Sequence, residues 1–162
     1  MKRKAIYAGY FNIPTNGHLW VIQEGARLFD EVVVAIGMNQ EKTPFFPVEV
    51  RLALLQRMTE DLPNVSVITI GKDFLVRSAR QIGARWLLRG MRSQKDFDYE
   101  RSMFHVNQEL EPDINSVYLL CPKNLEGISS SFVQSVIGLT GWLDVVKTMV
   151  PLVVWEQLAK QA

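Results

Sequence analysis

Five short apolar runs, each followed by a stretch of helical periodicity, constrain the fold of this chain more than any other feature. Ala5 to Tyr7, Val32 to Ile36, Val65 to Ile70, Trp86 to Leu88 and Val117 to Leu120 lack the apolar-polar alternation of a strand with one wet face. They read as strands buried on both faces, which pair in parallel under crossover helices. Leu19, Ile22, Ala26 and Phe29 form a stripe of period 3.6 after the first run. Val48, Leu52, Leu55 and Leu62 form another after the second, opened by Pro47 near its first turn. Further helices are expected at Val76 to Gln81, Lys95 to Glu109, Ser131 to Ile137 and Pro151 to Lys160. The pattern predicts an α/β fold: a doubly wound, five-stranded parallel sheet with C-terminal helices, from about Gly138 onward, packed on its edge or between subunits. No repeat and no composition shift marks a linker, so residues 1–162 read as a single domain.

The charge balance removes whole classes of partner. Eighteen Lys plus Arg against seventeen Asp plus Glu leave a net charge of +1, which argues against general nucleic-acid binding. Any positive charge that matters must be local. No apolar run is long enough for membrane spanning. Met1-Lys2-Arg3-Lys4 reads as a lead-in to the first strand, because the apolar segment behind it is soon broken by Gly, Asn and Pro. The single cysteine, Cys121, has neither a disulfide partner nor ligand spacing, which fits a reducing cytoplasm and a strand-end filler.

In a doubly wound sheet the ligand crevice lies at the carboxyl ends of the strands, and four segments suited to phosphate fall there. Gly9-Tyr10-Phe11-Asn12-Ile13-Pro14-Thr15-Asn16-Gly17-His18 turns the first strand into a helix, read as starting after Asn16. Gly9 and Gly17 would let the main chain approach an anion, and His18 could donate to a phosphate oxygen. Arg89-Gly90-Met91-Arg92 sets two guanidiniums around a glycine, as a polyphosphate clamp would. Ile128-Ser129-Ser130-Ser131, followed by Gln134, matches a capping box that would cradle β- and γ-phosphates. Lys42, in a loop after the second strand, could bring an ammonium to developing charge. Each segment alone has an ordinary structural reading: a turn, solvated charges, a cap, a surface lysine. Asp96 and Asp98 read as carboxylates favoured by a helix start, His105 as a packed residue, and Trp20, Trp86, Trp142 and Trp155 as core or interface.

No nucleophile elbow, Cys-His pairing, zinc spacing or Walker loop is present. Amides, hydroxyls, an imidazole and cations suit nucleotidyl transfer, in which an ionised acceptor phosphate attacks an α-phosphorus and pyrophosphate departs.

Together these motifs resemble the phosphopantetheine adenylyltransferases, of the nucleotidyltransferase superfamily with a T/HxGH motif. The resemblance runs from Ala5-Ile6-Tyr7 through Thr15-Asn16-Gly17-His18, Arg89-Gly90-Met91-Arg92 and Asp96-Phe97-Asp98-Tyr99-Glu100 to Ile128-Ser129-Ser130-Ser131. It implies a Rossmann-like domain that transfers AMP from ATP to 4′-phosphopantetheine, giving dephospho-CoA and pyrophosphate, with Mg²⁺ and as a homohexamer. By resemblance His18, with Lys42, stabilises the reacting phosphate. Gly9, Tyr10, Phe11, Gly90, Met91, Arg92, Glu100, Leu125, Ile128, Ser129, Ser130 and Ser131 would hold ATP. Tyr10, Lys42, Leu75, Arg77, Arg89 and Asn107 would face the acceptor. The departures cluster on that side: Tyr10 stands for a usual threonine, Asn12 for an aspartate, Arg77 for a small acidic or amide residue and Ser135 for a frequent glutamate. They leave open a different phosphorylated acceptor, and a nucleotide-binding homologue without catalysis stays a third reading.

Overall fold

The computed structural model describes residues 2–38 and 43–161. Its centre is a parallel sheet of β1 (Lys4–Gly9), β2 (Glu31–Gly37), β3 (Val65–Ile70), β4 (Trp86–Met91) and β5 (Asn115–Leu120), in the order β3-β2-β1-β4-β5. Seven helices join or follow these strands: α1 (Asn16–Leu28), α2 (Val48–Met58), α3 (Leu75–Gln81), α4 (Gln94–Leu110), α5 (Ser130–Val136), α6 (Trp142–Lys147) and α7 (Leu152–Ala159). All five expected strands are present. α6, inside the segment read only as C-terminal helices, is short and carries no stripe of its own.

Because side chains alternate along a strand, the sheet feeds two cores. Ala5, Tyr7, Val32, Val34 and Leu88 pack with Val21 and Ile22 of α1 and Leu55 of α2. Ile6, Val33, Ala35 and Leu87 pack with Val76 and Ala79 of α3 and with Ile114. A third cluster joins the C-terminal helices to Ile13, Phe46 and Leu54. Two expectations need correction here. β3 and β5 are sheet edges and are only half-buried, so burial on both faces holds for the central strands alone. Leu62 lies beyond the end of α2 and packs from the following turn. Among the described residues no helix is long and apolar enough to cross a membrane.

The strand order reverses between β1 and β4, and that is where the sheet opens. β1 pairs with β2 along its whole length, whereas its ladder to β4 stops after Ala5 with Trp86 and Ile6 with Leu87. Beyond Leu87, β4 stays paired only with β5, out to Met91. The strands thus part at the carboxyl edge, where a doubly wound sheet binds its ligand.

Candidate active site

A cleft of about 480 Å³ occupies the gap. Three of the four phosphate-suited segments meet around it: His18 from the start of α1, Arg89 to Arg92 from the end of β4, and Leu125 with Ile128 to Ser131 ahead of α5. The fourth, Lys42, lies outside the described residues.

His18 is positioned by an unusual cap. The helix starts one residue earlier than expected, with Thr15 as N-cap, so Asn16 is its first residue and donates its main-chain N–H to Met149 O at 2.9 Å. The Thr15 side chain accepts from the His18 main-chain N–H, and the Thr15 main-chain N–H donates to His18 Nδ1 at 3.0 Å. Histidine takes the place that Glu or Gln fills in an ordinary capping box. Since Nδ1 accepts, the neutral ring carries its proton on Nε2, which makes His18 a hydrogen-bond donor. Phe11 supports the ring edge-on at 5.0 Å and is itself backed by Tyr7 at 5.5 Å. Burial, with the nearby Arg92 charge adding to it, pushes the imidazole down from 6.5 to about 4.

The two guanidiniums of Arg89-Gly90-Met91-Arg92 both line the cleft, and each also holds protein partners. Arg89 donates from Nε and Nη2 to Glu100 Oε1, at 2.8 and 2.6 Å, and from Nη1 to Ala8 O at 3.0 Å. That last bond spans the gap where the β1–β4 ladder has ended. Arg89 is therefore a neutralised strut, while Glu100 is 7% exposed and engaged in holding it. Arg92 donates to Ile128 O at 2.8 Å and tethers the third wall. Gly90 is required by packing, because a Cβ there would lie 2.6 Å from Val21 Cγ2 of α1. A Cβ at Gly17 would make only an ordinary 3.6 Å contact, so no close approach demands that glycine.

The serine wall is partly committed to structure. Ser129 caps α5 by accepting from the Phe132 N–H, and the Ser130 hydroxyl donates to Ile13 O at 2.7 Å. Gln134 does not close the expected capping box; its Nε2 donates to Asn12 O at 2.8 Å. Asn12 Oδ1 in turn accepts the Phe45 N–H at 2.7 Å. These bonds hold the loop after β1, in which Phe11 and Ile13 have φ of 46° and 75°. Ser131, the last serine of the run, lines the cleft beside them.

Other expected residues lie elsewhere. Gly9, Tyr10 and Phe11 do not line the cleft: Phe11 is 2% exposed, and a Cβ on Gly9 would meet its ring at 3.0 Å. Leu75, Arg89 and Asn107 come together around a separate cavity of about 100 Å³, with Tyr99, Glu100 and Ser116. The Asn107 Oδ1 is buried there without a partner. Arg77 joins neither cavity: it is exposed, paired with Asp73 at 3.5 Å and stacked on Phe74. Ser135 bonds Phe132 O on the surface. His105 is exposed on α4 rather than packed. Cys121, read as a filler, lines the cleft, with its thiol pushed up by burial. Tyr7, Thr15, Lys95, Asp96 and Tyr99 also line it and were not expected. The Thr15 role was legible as Thr-x-x-His ahead of an apolar stripe; the others needed the strand gap.

The Cytidylyltransferase-like family model matches residues 6–135. The chain is 40% identical over 156 residues to the phosphopantetheine adenylyltransferase of Neisseria meningitidis serogroup C, covering 96% of this chain and 92% of that one. It is 43% identical over 148 residues to that of Desulforudis audaxviator, covering 91% and 88%. In fold it is similar to Plasmodium falciparum nicotinic acid mononucleotide adenylyltransferase complexed with NaAD, at TM-score 0.72, 13% identity and coverage of 99% and 96%. A Rossmann-like parallel sheet that parts over a capped histidine, together with relatives matched nearly end to end, establishes that this chain belongs to the phosphopantetheine adenylyltransferase family of cytidylyltransferase-like nucleotidyltransferases.

Proposed function

We propose that this chain transfers the adenylyl group of ATP to 4′-phosphopantetheine, giving dephospho-CoA and pyrophosphate. The observation that carries the reading is the His18 Nε2–H donor, set by Thr15 within a cleft lined by Arg92 and Ser129 to Ser131. In the reaction an acceptor phosphate oxygen bonds to the α-phosphorus. The bond from that phosphorus to the β-bridging oxygen breaks, and pyrophosphate leaves with the electron pair. The attacking oxygen is already ionised, so no general base is needed. Charge builds on the nonbridging α-oxygens, where a neutral imidazole donor is worth most because it is fixed beforehand. Arg92 and the third wall face the leaving phosphates, and Lys42 adds an ammonium by family resemblance.

The cavity beside Leu75, Arg89 and Asn107 suits the acceptor's arm. An unpartnered amide oxygen at a half-apolar wall matches a ligand amide N–H. Among the described residues no group of three acidic, His or Cys side chains could cage a metal. Mg²⁺ therefore fits as a counter-ion carried in on the triphosphate, where it offsets phosphate charge. Exposed Leu120, Leu139 and Leu152 support a homo-oligomer, with a hexamer as the family form, and the single Cys121 suits a reducing cytoplasm.

Pyrophosphate release from ATP, measured across a panel of phosphorylated acceptors, tests the reading. Turnover with 4′-phosphopantetheine above every other acceptor supports it. Turnover with another acceptor only, or ATP binding by calorimetry with no pyrophosphate under any acceptor, overturns it.

A further inference from the structure

α5 meets the loop after β1 along one face. Ser130, Val133 and Gln134 fall at i, i+3 and i+4 of that short helix, so all three point the same way. The Ser130 hydroxyl donates to Ile13 O at 2.7 Å, and Gln134 Nε2 donates to Asn12 O at 2.8 Å. Val133, fully buried, packs in one cluster with Ile13. Two consecutive main-chain carbonyls are thus held by side chains 117 and 122 positions further along the chain.

What they hold is a turn that does not keep its shape unaided. Phe11 and Ile13, on either side of Asn12, have φ of 46° and 75°, a left-handed backbone that is unfavourable for any residue with a Cβ. Such a conformation persists only where its surroundings over-determine it. Asn12 supplies a further tie, its Oδ1 accepting the Phe45 N–H at 2.7 Å. The shape of the turn matters because it places Phe11, whose buried ring lies edge-on to the His18 imidazole at 5.0 Å. Thr15 anchors Nδ1 of that imidazole, which leaves the ring plane free to swing about the bond. Phe11 is the contact that limits the swing.

We propose that Gln134 is a positioning residue for catalysis: through Asn12 O it holds the turn from Phe11 to Ile13, keeps Phe11 against the imidazole, and so aims the His18 donor. The inference rests on the adenylyl-transfer reading above. Gln134 does not line the cleft, so its effect on the reaction passes through the turn. Only a donor suits its place, because the partner is a carbonyl oxygen.

The test compares three replacements in the full chain. Gln134→Met keeps the length but removes the donor, Gln134→Glu keeps the shape but offers only acceptors, and Gln134→Lys keeps a donor of similar reach. With ATP and 4′-phosphopantetheine, both donor-free variants are expected to lower kcat by about tenfold or more, as a misaimed group does. KM for ATP should change by less than about twofold, and Gln134→Lys should regain most of the lost kcat. In ligand-free protein the His18 ring resonances, which feel the Phe11 ring, should move in the NMR spectra of the donor-free variants and stay near wild type in Gln134→Lys. Wild-type kcat in a folded donor-free variant, equal losses in kcat and ATP affinity, or a Gln134→Lys no better than Gln134→Glu overturns the inference. Should one donor-free variant fail to fold, the other carries the comparison. Wild-type protein that releases no pyrophosphate with any acceptor removes the reading of function, and the spectra then decide alone: His18 resonances unmoved in the donor-free variants overturn this inference, and resonances that move support it.

Discussion

The main-chain N–H of Thr15 lies 3.0 Å from Nδ1 of His18 and donates to it, so one bond both caps α1 and decides which ring nitrogen carries the proton. The donor role follows directly. His18→Ala is expected to lower kcat by about two to three orders of magnitude, the usual loss for one transition-state donor. KM for ATP should change little, because the donor matters most when charge has built up. Steady-state kinetics check this, and equal losses in kcat and ATP affinity would refute the role.

The same ring makes a pH prediction. Its value falls from 6.5 unfolded to about 4 folded, through burial first and Arg92 second. Between those values the folded state binds fewer protons than the unfolded one. The stability held by the neutral ring is therefore complete above about pH 6.5, drains as pH falls, and is gone below about pH 4. In ligand-free protein, NMR should show the His18 ring untitrated across the usual histidine range. Arg92→Ala should raise its value only part of the way back, since burial, the larger cause, stays in place. A ring titrating near 6.5 in the wild type would contradict the geometry.

How much of this was readable from the chain depended on sequence distance. The central strands and the α1 stripe were legible because a short unbroken apolar run and a period of 3.6 are local properties. So was the placement of His18, Arg92 and the serines at strand ends, which follows from topology once the strands are known. Pairings across space were not. That of Arg89 with Glu100 was hidden because Glu100 is eleven positions away, with nothing in between to signal the contact. Arg77, read as facing the acceptor from its place in the family pattern, is paired with Asp73, four positions before it. Half-burial of β3 and β5 depends on strand order, which local patterns do not encode.

The Arg89–Glu100 pair is expected to be a structural determinant of the cleft. Removing one partner of a buried pair costs about 3–5 kcal/mol, because it strands the other charge. The Arg89 side chain is 25% exposed, so water recovers part of that. Glu100→Ala should then destabilise by about 2–3 kcal/mol in denaturant unfolding. It should also weaken ATP binding, because the freed guanidinium no longer bridges to Ala8. Unchanged stability would mean that Arg89 finds solvent more easily than this geometry allows.

Gly90 sets the approach of α1 to β4. A methyl group there would meet Val21 Cγ2 at 2.6 Å, and Val21 is 4% exposed with little room to turn. Gly90→Ala should cost about 1–3 kcal/mol by overpacking. Val21→Ala in the same chain should recover part of this, although it is destabilising alone. Thermal unfolding of the two single variants and the double variant reads the coupling; simple additivity would exclude the contact as the cause.

Ile13 offers a test in which strain and burial oppose each other. It is a β-branched residue at φ 75° and is fully buried in the cluster of the C-terminal helices. A left-handed conformation costs an L-residue about 1–2 kcal/mol, and glycine escapes that cost. Deleting a buried isoleucine side chain costs about 2–5 kcal/mol, so burial outweighs strain and both truncations should destabilise. Alanine loses the packing and keeps the strain, whereas glycine loses slightly more packing but releases it. The expected order of melting temperature is therefore wild type, then Ile13→Gly, then Ile13→Ala, the reverse of what a right-handed site would give. Since Ser130 donates to Ile13 O, the glycine variant should also loosen the third wall and raise KM for ATP. An alanine variant more stable than the glycine variant would show that the loop relaxes out of its positive φ when the side chain is removed.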